Sequence, residues 1–283
     1  MTELLQALRD PDITFFRYAV IAGMIASVSF GIAGSYVIVR RISYIAAAIS
    51  HSILGGIGAG LWLQHHLKLG ISPDLAALVG SVIAALISAI LIGLVSLRAR
   101  EREDTIIGAI WATGMAIGLL FLNYTPGQTN LESYLFGEII LVGRGDLILT
   151  AILGVTVVSV SVLFYHHLVA VCFDEEFARL RGVNVTFYFL LLLCLVGLSV
   201  VLLVRLTGII LAIALIVLPA ATASRLSRRL WKVMLGAVAL SMIYTTGGLM
   251  ISYPTDTPAG PIIVLLAAFV YVIVTTRTFF RRS

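Results

Sequence analysis

Stretches of about twenty predominantly apolar residues recur from near the start of this chain to near its end, and no other feature constrains its fold as strongly. A helix of that length crosses the ~30 Å hydrocarbon core of a bilayer at ~1.5 Å per residue. Within hydrocarbon every backbone polar group needs an internal partner, so only helices and closed barrels can cross. The alternating segments of about ten residues that mark barrel strands are absent. Composition agrees. The chain is 60% hydrophobic and 12% charged, about half the charged fraction of a soluble domain. An all-α fold is expected: a polytopic helical membrane protein with eight or nine transmembrane helices and the lipid bilayer as its solvent.

Candidate spans cover residues 15–39, 42–63, 75–97, 105–122, 147–165, 185–204, 208–223, 233–252 and 259–276. Eight spans result if 185–223, interrupted only by Arg205 and Thr207–Gly208, is not a full hairpin. Residues 131–142 are apolar but too short to cross, and are expected to be re-entrant or interfacial. The first twelve residues, MTELLQALRDPD, lack the basic start and apolar core of a signal peptide. They suit either a short interfacial helix using Leu4, Leu5 and Leu8 or a disordered end. Cys172 and Cys194 give no disulfide framework. With no internal repeat and no soluble appendage, residues 1–283 read as a single transmembrane domain.

Basic residues set the orientation, because cytoplasmic loops carry the excess. With Arg40 and Arg41 inside, fourteen of the 19 Lys and Arg residues are cytoplasmic. Arg9, Arg17, Lys68, Arg144 and Arg205 remain outside. The N-terminus is then outside and the C-terminus inside. The net charge of +5 therefore reports topology, and nucleic acid is not expected as a partner.

The polar inventory excludes several functions. Of 14 carboxylates, only Glu138 falls where it could reach membrane depth, so no buried carboxylate chain exists to relay protons or hold sodium. The two lysines precede Leu69 and Val233, so no phosphate-binding loop is present. A single buried histidine, with neither a second ligand nor a nucleophile at motif spacing, is too little for an intramembrane enzyme. The chain is not expected to be an enzyme, and any ATPase activity would belong to a separate subunit.

His51 lies ten residues beyond Arg41, roughly 15 Å along a helix and near mid-bilayer. Around it run two rows of small residues, Ala47, Gly55, Ala59 and Ala48, Ser52, Gly56, Gly60. Small rows let helices approach closely. On such a face His51 could meet its copy from a second subunit, and two neutral imidazoles suit a divalent first-row metal. The ordinary alternative is a histidine that hydrogen-bonds a neighbouring helix.

Phe173–Val183, FDEEFARLRGV, carries the marks of a short capped helix: Asp174, Glu175 and Glu176 at its start, Arg179 and Arg181 in its last turn, and Gly182 as the stop. Phe177 and Leu180 form a small apolar ridge. The segment is either a partner-docking helix or an ordinary loop helix. Pro219, in LPAATASR, can bend its span. Glu138 is a solvated rim carboxylate or a first ligand at the outer mouth.

Taken together, RRISY followed by Ile49-Ser50-His51, the span IGAIWATGMAIG, YLFG, FDEEFARLRGV and LIVLPAATA resemble the permease subunit of bacterial ABC importers for zinc, manganese or iron. The likeness covers nearly the whole chain in the family's order. It implies a homodimer in the bacterial cytoplasmic membrane, a cytoplasmic ATP-binding subunit and an extracytoplasmic metal-binding protein. No cofactor is bound permanently, and a divalent metal ion is the cargo. His51 would contact that ion, and Phe173, Asp174, Glu175, Glu176, Phe177, Ala178, Arg179, Leu180 and Gly182 would form the ATPase-coupling helix. One departure stands out. The family's usual aspartate, four residues before the histidine, is Ala47 here. The pathway would then offer two histidines with water, Ser50 or a group from elsewhere, so a metal chelate is an alternative cargo. A channel or secondary carrier without an ATPase is the remaining rival.

Overall fold

The structure is a computed structural model that describes residues 14–68, 70–98, 103–125, 143–255 and 257–280. Among them run helices α1 (Thr14–Arg40), α2 (Ser43–His66), α3 (Pro73–Arg98), α4 (Glu103–Asn123), α5 (Arg144–Leu163), α6 (Tyr165–Phe173), α7 (Glu175–Leu180), α8 (Val185–Thr207), α9 (Ile209–Leu226), α10 (Leu230–Thr255) and α11 (Ala259–Phe280), with no strand. The chain is all-α, as composition requires. The first twelve residues and the 131–142 segment, including Glu138, lie outside the described residues.

Each of the nine sequence spans falls on a helix. Eight of these are long and apolar enough to cross a membrane, and the apolar stretch of α9, Leu211–Leu226, is shorter. Gly208 alone separates α8 from α9, at φ 80° and ψ 168°. That is a left-handed backbone which a side chain would disfavour. α9 still runs the length of the bundle. It starts beside Arg205, and its Ala220 and Ala223 cluster with Val233, Ala237 and Ile38, close to Arg40.

Charge marks the two ends. Arg40, in the last turn of α1, pairs with Glu175 of α7. At the opposite end Arg205, in the last turn of α8, pairs with Asp146 in the first turn of α5. Arg205 also donates to the Asp74 carbonyl at 3.3 Å. Basic residues at helix C-termini and acids at N-termini oppose the helix dipole favourably. By the excess of basic residues the Arg40 end is cytoplasmic. α6 and α7 lie at that end, between spans.

α2 sits at the centre, packed against α3, α4, α8 and α9. Most of its residues from Ile45 to Leu61 are buried. The glycine rows explain how. Gly56 and Gly80 of α3 meet so closely that a Cβ on either would overlap the other's carbonyl oxygen. A Cβ on Gly55 would stand 2.8 Å from the Gly114 oxygen of α4. The small rows therefore bring this chain's own α3 and α4 close to α2.

Candidate functional site

His51 is half-buried on α2, and its ring stacks on Trp111 of α4 with centroids 4.4 Å apart and planes 10° from parallel. Tyr44, near the start of α2, meets the same indole edge-on at 6.0 Å. Nδ1 of His51 is buried with no hydrogen-bond partner among the described residues. A buried nitrogen left unpaired is costly. Among the described residues no neighbouring helix satisfies this nitrogen. The stack fixes the plane of the ring against Trp111.

Ser50 is fully buried, and its hydroxyl donates to the Ala46 carbonyl of its own helix at 3.0 Å. Ala47 is 5% exposed and offers no donor. Among the described residues no group of three or more His, Cys, Asp or Glu could hold a metal. A cavity of about 470 Å³ opens between α3 and α4 above Gly56 and Gly60. Its lining is mostly apolar; of its hydroxyls, Ser52 donates to the Ala48 carbonyl at 2.9 Å and reaches the Ile110 carbonyl of α4 at 3.4 Å, and Thr113 donates to the Ala109 carbonyl at 2.7 Å. One chain thus presents a single imidazole at mid-depth.

The cytoplasmic segment folds as its sequence predicts. The Asp174 carboxylate accepts from the Phe177 N–H at 2.9 Å and caps α7. At the other end the N–H of Val183 donates to the Ala178 carbonyl and that of Gly182 to Arg179. Gly182 has φ 77°. This is the paired bonding of a Schellman stop, in which glycine tolerates the left-handed turn. Ala178 is buried, while Phe173, Phe177 and Leu180 are 61, 51 and 87% exposed. The Arg181 guanidinium lies over the Phe177 ring at 5.0 Å. Two large apolar side chains from a six-residue helix, joined by Phe173 just before it, form an exposed ridge held rigidly at both ends.

Two features escape sequence reasoning. Trp111 lies inside the quoted IGAIWATGMAIG span, but only the fold sets its indole on His51. Arg40 is legible as a topological marker, yet its pairing with Glu175 joins residues 135 apart in sequence. The remaining histidines sit outside the membrane centre. His66 stacks on Trp62 at the end of α2, and His167 stacks on Tyr188 at the cytoplasmic end. Pro219 lies inside α9, which continues through it.

An all-α bundle with eight helices long and apolar enough to cross a bilayer, a central glycine-packed helix and an exposed capped helix at one end has the build of a multi-pass membrane protein. The chain belongs to the ABC 3 transport family, which matches residues 12–278. It is 38% identical over 252 residues to a Chlamydia pneumoniae protein whose name is a probable metal transport system membrane protein, covering 89% of this chain and 85% of that one. It is 30% identical to the manganese import system permease protein ScaB of Streptococcus parasanguinis, covering 96% and 93% of the two chains. A solved structure of PsaBC from Streptococcus pneumoniae in complex with Fab superposes with a TM-score of 0.84 at 28% identity, covering 96% of this chain and 94% of that one.

Proposed function

We propose that this chain is the permease subunit of an ATP-driven importer of a divalent metal ion. Two copies form the pathway, and His51 of each contacts the ion in transit. An extracytoplasmic binding protein delivers the ion to the outer mouth. A cytoplasmic ATP-binding subunit seats on the ridge of Phe173, Phe177 and Leu180, and its cycle switches the dimer between outward and inward states. The observation that carries the reading is the imidazole of His51, stacked on Trp111 with its Nδ1 unpartnered among the described residues. Transit needs weak binding, and one imidazole per chain supplies it. Zinc, manganese and iron are all compatible with such a donor. The names of the relatives favour manganese.

Manganese accumulation in cells carrying His51→Ala, with expression and membrane insertion checked, tests the role. A fall of about tenfold or more is expected. Uptake within twofold of wild type overturns the His51 assignment. That same outcome favours a second reading, motivated by Ala47: a chelate that brings its own ligands needs no imidazole in the pathway.

A further inference from the structure

We infer that Arg40 is the positioning residue that carries the motion of α7 into the pathway helix α2. The inference rests on the reading of α7 as the helix that docks the ATP-binding subunit. Three observations converge on Arg40. Its guanidinium pairs with Glu175, the first residue of α7, and both side chains are about three-quarters buried, at 24 and 27% exposure. The same guanidinium lies over the Phe189 ring of α8 at 5.3 Å, so one side chain of α1 touches two other elements. Among the described residues, Glu175 is the one α7 side chain in an ion pair with a spanning helix.

The third observation is the link that follows. Arg41 has φ 61°, in the left-handed region that side chains rarely adopt. The N–H of Ile42 donates to the Val37 carbonyl at 3.0 Å, and that of Arg41 to Ile38 at 3.2 Å. α1 therefore stops in a fully hydrogen-bonded turn, and the α2 helix begins one residue beyond Ile42. A two-residue link bonded in this way has no slack to absorb a displacement. α2 then runs from Ser43 to His66 without proline or a break. His51 stands eight residues along it, about 12 Å at the helical rise. A shift imposed on α7 moves Arg40, the shift of Arg40 moves the turn, and the turn moves α2 as a rod.

The test uses the permease purified with its ATP-binding subunit, reconstituted in vesicles with the external binding protein, and manganese(II) as the probe. Nucleotide hydrolysis and manganese moved are measured on the same sample. Arg40→Ala and Arg40→Gln are expected to keep the ATP-binding subunit bound and hydrolysing, yet to move about tenfold less manganese per nucleotide. Arg40→Lys, which keeps the charge, is expected to stay within about threefold of wild type. The reversed pair, Arg40→Glu with Glu175→Arg, is expected to recover at least half of the wild-type ratio. A ratio within twofold of wild type in both single variants overturns the proposal, as does a correctly inserted reversed pair that recovers nothing. Failure of the docking reading looks different: the wild-type ATP-binding subunit then copurifies equally with a permease whose α7 ridge is destroyed.

Discussion

Both ends of the bundle are fastened by an arginine in the last turn of one helix and a carboxylate in the first turn of another, but what they fasten differs. At the outer end Arg205 joins α8 to α5 and, through the Asp74 carbonyl, to α3. All three are spanning helices, anchored along their length by packing. At the inner end Arg40 joins a spanning helix to a six-residue helix with few other attachments. Single ion pairs that keep about a quarter or more of their side-chain surface open to solvent contribute about 1 kcal/mol, so neither holds the fold together. The same chemistry thus has different consequences. A clasp between two fixed elements adds a little stability. A clasp between a fixed element and a movable one decides where motion goes.

The largest effect should follow from destroying the ridge on which the ATP-binding subunit seats. Phe177→Asp combined with Leu180→Asp puts two charges on an exposed ridge whose fold depends on Asp174, Ala178 and Gly182 instead. Helix content and membrane insertion should be unchanged, copurification of the ATP-binding subunit should fall at least tenfold, and metal uptake should drop to background. Retained copurification would remove the inner end's special status. Next in size is the outer clasp. Arg205→Ala should lower thermal stability in detergent by about 1 kcal/mol or less and leave uptake per ATP within twofold. If that variant instead uncouples transport while expressing normally, the contrast between the two ends collapses.

Much of this was legible in the sequence, and the pattern of what was not has a physical cause. Span placement depends on local hydropathy, and every candidate span falls on a helix. The caps of α7 depend on residues within a few positions of one another, and Asp174 and Gly182 perform as their types predict. The small rows of α2 announced close helix approach but not its partner. Glycine at 56 fits any helix presenting a small face, and Gly80 of the same chain is what it meets. Nor does sequence show that the Ser50 hydroxyl turns back to Ala46. The stack of His51 on Trp111 and the Arg40–Glu175 pair join residues far apart in the chain, where periodicity carries no information. Gly208 alone decides between one interrupted span and two helices.

The smallest effect comes from a reporter already in place at the inner end. Cys172 lies in α6 and is buried. Burial pushes its thiol up to about 12, with Glu175 adding to the rise and Arg40 opposing it. Thiolate is the reactive form, so near pH 8 only about one thiol in ten thousand is reactive, and labelling should rise about tenfold per pH unit well below that value. Because the folded value lies above that of an unfolded thiol, burial of Cys172 favours folding most at neutral pH, and this contribution is lost as pH climbs from about 9 towards 12. In a Cys194→Ser background, Glu175→Gln should remove the raising charge and leave Arg40 unopposed beside the thiol. Labelling by a small thiosulfonate should then quicken a few-fold at fixed pH, while Arg205→Ala leaves the rate unchanged. A few-fold change at the inner end with none at the outer end separates a local electrostatic effect from general loosening of the bundle. Equal acceleration in both variants would mean that the two clasps act alike, as plain fasteners.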